Sequence, residues 1–143
     1  MRAFLQPLDL LDESACPREA REKRRVLLLA KCLSRRRDLV EMFSSYAILC
    51  ACPERNHINV VGFKLFGLLS RASIEEVAVL TPDGSMHCVQ LHYVVEELAR
   101  AFGFRRRHMV IERGSIVEVP PEAVKTSRFL SRVAKLLARL SEP

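Results

Sequence analysis

One strand–turn–helix unit, residues 74–102, constrains the fold of this chain more than any other stretch. Its first part, IEEVAVL, has the β-branched and apolar residues of a buried strand, and it predicts a strand over about residues 76–80. The segment TPDGS then supplies Pro, Asp and Gly for a tight turn. Apolar residues recur at helical spacing after the turn, which predicts a helix over about residues 87–102 with Gly103 as its C-cap.

The other predicted elements continue this alternation of strands and helices. Before the unit, helical spacing predicts helices over residues 18–34 and 38–49, and INVVGF and FKLFGLLSR predict a strand over 58–63 and a helix over 63–71. After it, RRRHMVIER and IVEV predict two strands joined by a hairpin at Gly114-Ser115, and a helix over residues 122–140 follows Pro120-Pro121. One alternative stays open, because YAILCAC, residues 46–52, is as typical of a buried strand as of a helix end.

The order β-α-β-α-β-β-α predicts a single small three-layer α/β domain with a partly parallel sheet, because parallel neighbours need helical crossovers. The 143 residues suit one domain with its own core. The first two helices would form an N-terminal helical pair within residues 1–52, and residues 53–143 would form the β/α part. The segment CPERNH, residues 52–57, marks the change between the two parts.

The composition predicts a cytoplasmic protein. The opening segment MRAFLQPLDLLDESACP contains three acidic residues and lacks the apolar core of a secretory signal. No apolar run approaches the roughly 20 residues of a membrane span, so no membrane is expected. The five cysteines are an odd number, which favours reduced thiols over a disulfide scaffold. Arg outnumbers Lys and both Asn and Gln are scarce, which is a thermophile-like composition.

The basic charge raises the question of a partner. The net charge of +6 is concentrated in three runs, at residues 21–25, 35–37 and 105–107. A basic surface attracts nucleic acid or an acidic protein partner, although solvated helix faces and turns would explain the same residues. No nucleic-acid-binding motif accompanies the charge. A non-enzymatic binding module or accessory subunit is therefore the alternative function, and a homo-oligomer is equally open.

The stretch LTPDGSMHCVQLHY holds the candidate site. Cys88 and His92 are four residues apart, so on a helix they share a face. Cys88 would lie in the first turn, where the helix end favours a thiolate, and His92 could take its proton. Asp83 is a candidate acid, and the turn at Gly84 and Ser85 would offer its amides to an anion. The alternative is structural: Ser85 caps the helix, and Cys88 and His92 belong to the core.

A second group of candidate ligands precedes the first predicted strand of the β/α part. If this loop packs beside the 83–88 turn, Cys50, Cys52 and His57 would join Cys88 and His92. Mixed thiolate and imidazole ligands suit zinc, and the C-x-C spacing suits an iron–sulfur cluster less well. The sequence lacks the dinucleotide and P-loop glycine motifs. It thus predicts a thiol–imidazole site, metal-binding or redox and nucleophilic, and leaves open whether the protein is an enzyme.

Overall fold

The computed structural model describes residues 7–142 and centres on one six-stranded sheet. Within these residues the sheet has the order β1-β3-β2-β4-β5-β6. All neighbouring strands are parallel except β5 and β6, which form an antiparallel hairpin. The strands are β1 (Leu8–Asp9), β2 (Arg25–Ala30), β3 (Ala47–Ala51), β4 (Glu76–Pro82), β5 (Arg105–Glu112) and β6 (Ser115–Val119).

Helices cover both faces of the sheet, so the architecture has three layers. The helices are α1 (Arg18–Lys23), α2 (Arg37–Met42), α3 (Ile58–Arg71), α4 (Val89–Phe102), α5 (Pro121–Ser127) and α6 (Leu130–Leu140). Side chains of α3 and α4 pack with Leu28, Leu49 and Val79 on one face. Side chains of α2 pack with Leu27 and Leu80 on the other. Successive residues of β2 thus serve opposite cores, as the period of two in a strand requires.

The predicted N-terminal helical pair is wrong, because the described chain begins with strand β1 and contributes β2 to the middle of the sheet. The helix predicted over residues 18–34 ends at Lys23, and Arg24 turns the chain in a left-handed conformation with φ 58°. The following RVLLLA is strand β2, and Val26 to Leu29 are fully buried between β3 and β4. Leucine has a high helix propensity, so the local sequence favours a helix. The segment forms a strand because both of its faces are buried in the folded chain.

Two neighbouring predictions also change. The helix predicted over residues 38–49 ends at Met42, and the strand alternative for YAILCAC is correct, since Ala47–Ala51 forms β3. INVVGF is not a strand but the first part of α3, which begins at Ile58. His57 caps that helix, because its Nδ1 accepts a hydrogen bond of 3.1 Å from the amide of Asn59. Residues 52–57 therefore form a loop between β3 and α3. They do not divide the chain into two parts, because the strands before and after them belong to the same sheet.

The strand–turn–helix unit and the hairpin are confirmed. Strand β4 covers Glu76–Pro82, and α4 starts at Val89, two residues later than predicted. Gly103 is its C-cap with a left-handed φ of 70°, and the hairpin turns through Gly114. The last predicted helix is divided into α5 and α6, with a break between Ser127 and Leu130.

Candidate functional site

The loops after β2, β3 and β4 meet at the carboxyl end of the parallel strands. From β2 the chain passes to α2 on one face, whereas from β3 and β4 it passes to α3 and α4 on the other. Adjacent strands whose connections diverge in this way leave a crevice at their carboxyl ends, which is where open α/β sheets usually bind ligands. We call these loops, residues 31–36, 52–57 and 83–88, the carboxyl-end loops.

The 83–88 loop has the turn and cap that its sequence predicts. Gly84 takes φ 83°, which favours glycine because it has no Cβ. The Ser85 hydroxyl oxygen accepts a hydrogen bond of 3.1 Å from the amide of Cys88 and so holds the start of α4. The Asp83 amide donates to the Ile111 carbonyl at 3.1 Å, which ties the loop to β5. The structural role of Ser85 is therefore clear, and anion binding by Gly84 and Ser85 stays a prediction.

Cys88 and His92 are near each other in sequence, but they do not form a hydrogen-bonded pair. The His92 side chain is buried against β4, where its Nε2 lies 2.9 Å from Thr81 Oγ1. Its Nδ1 lies 2.9 Å from Nδ1 of His108 on β5. Cys88 instead packs partly against the core on the α2 face. Because both ring nitrogens of His92 have other partners, this arrangement does not support His92 as the base for Cys88.

His92 belongs to a buried hydrogen-bond chain that the sequence did not reveal. Nε2 of His108 lies 2.8 Å from Oε2 of Glu96, and the same carboxylate oxygen accepts from Arg106. An ionised Glu96 only accepts, so His108 donates from Nε2 and accepts at Nδ1 from His92. His92 then accepts at Nε2 from the Thr81 hydroxyl. We call these five residues, on β4, α4 and β5, the α4–β5 seam.

The ionisation of the seam follows from burial. Desolvation lowers the pKa of His92 to about 4, and repulsion by His108 adds to this effect. Desolvation also lowers the pKa of His108, against the attraction of Glu96. Burial opposes ionisation of Glu96, but hydrogen bonds from Arg106 and His108 outweigh it and lower the pKa of Glu96. Both imidazoles are therefore neutral and the carboxylate is charged near neutral pH, which agrees with the direction of donation along the chain.

The carboxyl-end loops bring thiols together that the sequence left apart. Burial raises the pKa of Cys32, and repulsion from the Cys88 thiolate, with a smaller part from Cys52, raises it further. The 52–57 and 83–88 loops also touch directly, because His87 Nδ1 lies 2.9 Å from a carboxylate oxygen of Glu54. The condition that these two loops lie together, on which the shared ligand set depended, is met at this contact. Each of three adjacent strands is followed by one of these cysteines.

The five predicted metal ligands do not converge. Cys50 is buried in β3 on the α2 face, where burial raises the pKa of its thiol to about 12. His92 lies on the opposite face, and His57 serves as the cap of α3. Across residues 7–142, no group of three or more His, Cys, Asp and Glu side chains is arranged to hold a metal ion. The zinc and iron–sulfur hypotheses gain no support.

Cys32 and His108 are the residues that sequence reasoning missed. Cys32 was placed within a long helix, and recognising RVLLLA as a strand would have put it in the loop directly after β2. His108 was correctly placed in a strand, but it follows the three arginines at 105–107, so the sequence does not signal that it is fully buried. Its contact with His92 depends on how α4 lies across β5, which the sequence pattern does not specify.

The arginine runs are largely paired with carboxylates. Arg24 contacts Glu75 at 3.2 Å, and Arg36 contacts Asp38 at 2.7 Å. In β5, Arg106 pairs with Glu96 and Arg107 with Glu118. Partnered charges attract a polyanion less than free ones, so the pairing weakens the case for nucleic-acid binding, which stays a prediction.

No helix in residues 7–142 is long and apolar enough to cross a membrane.

Comparison with known proteins identifies a family from most of the chain. Neither the curated proteins nor the solved structures contain a match to the sequence. A family model described as a Rossmann-like domain matches residues 20–139, which includes every parallel strand except β1. The chain therefore belongs to the Rossmann-like domain family.

Proposed function

We propose that this domain works through a thiol centre at its carboxyl-end loops, with Cys88 as the reactive thiol and Cys32 as its exchange partner. The observation that carries the proposal is the placement of Cys32, Cys52 and Cys88 in loops that follow three adjacent strands, β2, β3 and β4. Cys88 is half-buried and directly precedes α4, so its thiol stands at the carboxyl end of the sheet with part of its surface accessible.

The chemistry is thiol–disulfide exchange with a low-molecular-weight disulfide. The Cys88 thiolate attacks one sulfur of that disulfide, its S–S bond breaks, and one thiol leaves while a mixed disulfide forms on Cys88. The Cys32 thiolate then attacks the Cys88 sulfur, the second thiol leaves, and a Cys32–Cys88 disulfide forms. Two protein thiols are oxidised, one disulfide is reduced to two thiols, and the protons of Cys32 and Cys88 pass to the leaving thiolates.

The electrostatics of Cys32 set the order of these two steps. Burial raises the pKa of Cys32, and the negative charge that Cys88 carries as a thiolate raises it further, so Cys32 is the second thiol to react. Once Cys88 has entered a mixed disulfide its charge is gone, and Cys32 ionises more readily. His92 supports this chemistry as a positioning residue, because it fixes α4 against β4 through Thr81.

The test uses oxidised glutathione and mass spectrometry of the folded protein. We expect the wild-type chain to lose two hydrogens, with peptide mapping that joins Cys32 to Cys88. In Cys32→Ser a glutathione adduct should stay on Cys88, whereas the control Cys16→Ser should behave as wild type. Oxidation of Cys32→Ser to the wild-type product, or modification of Cys88 only in denaturant, would falsify the proposal.

A dinucleotide does not fit this centre. Rossmann folds that bind one place glycines in the turn after the first strand of the unit, so that the pyrophosphate can approach the backbone. The turn after β2 reads KCLSRRR and contains no glycine. The proposed chemistry therefore includes no step through a nicotinamide or flavin dinucleotide.

A further inference from the structure

A cavity of about 370 Å³ lies at the amino end of the parallel sheet, on the opposite side of the seam from the thiols. Helix α4 and the start of β5 form one wall, and α5 forms the other. The Tyr93 hydroxyl and Ser127 Oγ are 2.8 Å apart, so a hydrogen bond fixes α5 across α4. A volume of this size lies in the range of small-molecule pockets, roughly 300–1,000 Å³.

Glu96 lines this cavity, and one of its carboxylate oxygens is buried without a hydrogen-bond donor among the described residues. Oε2 of Glu96 accepts from His108 and Arg106, whereas Oε1 is buried without any hydrogen-bond donor among the described residues. Lys125 forms a long ion pair with this oxygen, with its ammonium 4.0 Å away and beyond hydrogen-bond distance. An ionised oxygen left in this way is costly, and a donor in the cavity would relieve it.

The same cavity presents three cations outside the seam, of which Lys125 contacts Glu96 at 4.0 Å. Arg100, Lys125 and Arg128 line it, and all three side chains are exposed at its rim. The guanidinium of Arg128 is held over the Phe129 ring, with 4.6 Å between its central carbon and the ring centroid. Three cations around one cavity exceed what one carboxylate needs and match the double charge of a phosphate monoester.

We propose that this cavity binds a small hydroxylated phosphate ester, of about the size of a sugar phosphate. The phosphoryl group meets Arg100, Lys125 and Arg128. Lys125 leaves Glu96 to contact the phosphate, and a ligand hydroxyl then donates to the uncovered Oε1. One molecule then supplies both an anion for the three cations and a hydrogen-bond donor for Glu96. The ligand and the thiols occupy opposite ends of the sheet, so the proposal stands independently of the exchange chemistry.

The experiment is isothermal titration with ribose 5-phosphate, methyl phosphate and ribose as probes. We expect ribose 5-phosphate to bind most tightly, methyl phosphate at least tenfold more weakly because it lacks a hydroxyl donor, and ribose not at all. Equal affinity for ribose 5-phosphate and methyl phosphate would remove the role of Glu96. No binding of ribose 5-phosphate would overturn the whole proposal.

Substitutions of the residues that line the cavity test which side chains contact the ligand. Arg100→Gln and Arg128→Gln change exposed side chains and should each weaken ribose 5-phosphate by roughly tenfold, since each removes a charge-assisted contact. Glu96→Gln should lower the affinity for ribose 5-phosphate towards that for methyl phosphate, and the control Arg139→Gln on α6 should change nothing. Wild-type affinity in both arginine variants contradicts the site. If Glu96→Gln does not fold, the comparison of the two phosphate probes on the wild-type protein decides the role of the carboxylate.

Discussion

The carboxyl-end loops and the α4–β5 seam both concentrate ionisable residues, but they use them in opposite ways. In the seam, Thr81, His92, His108 and Glu96 are joined by a single chain of hydrogen bonds. In the loops, Cys32 is exposed, Cys52 and Cys88 are half-buried, and the three interact through charge rather than through a fixed contact. The difference shows that the side chains of the seam hold α4 to the sheet, and the reactivity that we propose for the loops uses side chains outside this network.

Among substitutions that distinguish the two regions, Glu96→Ala should lower the stability of the protein most. The change leaves Arg106 without its carboxylate and His108 Nε2 without an acceptor, both in the buried seam. We expect the free energy of unfolding to fall by about 3 kcal/mol or more, as is usual when one partner of a buried pair is removed. Urea denaturation measures it. The control Glu97→Ala, on the exposed side of the same helix, should change the free energy of unfolding by less than about 0.5 kcal/mol. An equal loss in both variants would show that the seam stabilises the fold no more than the exposed side of α4 does.

Acid should also destabilise the seam selectively. The pKa of His92 is about 4 in the folded chain and near its ordinary value of 6.5 in the unfolded chain. Between these values the unfolded chain binds a proton that the folded chain does not, so stability falls as pH falls through this window. From pH 7 to pH 5 we expect a loss of about 2 kcal/mol in urea denaturation. His92→Gln should flatten this slope, and an unchanged slope would show that His92 is not its source.

Removing the end of the hydrogen-bond chain should have a smaller effect. Thr81→Val keeps the shape of a fully buried side chain but removes the hydroxyl that donates to His92 Nε2. We expect the free energy of unfolding to fall by about 1–2 kcal/mol, because the ring nitrogen is left without a donor. Thermal and urea unfolding measure it. A neutral result would mean that the imidazole is satisfied in another way.

The smallest effect on stability should come from the loops. Cys32→Ser changes an exposed side chain, so we expect the free energy of unfolding to change by less than about 0.5 kcal/mol. The same variant should trap the glutathione adduct on Cys88. A large loss of stability in Cys32→Ser would place this thiol with the structural residues of the seam instead.

Local signals explain what the sequence could predict. The β4 strand, its turn and α4 follow from neighbouring residues, and so does the Ser85 cap. Strand β2 was missed because RVLLLA favours a helix unless both of its faces are covered, and that burial comes from β3 and β4. For the candidate site, the loops could be predicted to touch, but the partners of His92 lie on β4 and β5. They depend on the position of α4 over the sheet, which no local pattern encodes.

The central position of β2 has a consequence for how this chain is made. Its residues leave the ribosome before either neighbour in the sheet, so the N–H and C=O groups of residues 25–30 have no strand partner until residues 47–51 and 76–82 follow. A chain started at residue 53 would lack β2 and leave one edge of the buried strand β4 open. An apolar edge of that kind pairs readily with other chains, so such a fragment should aggregate rather than fold.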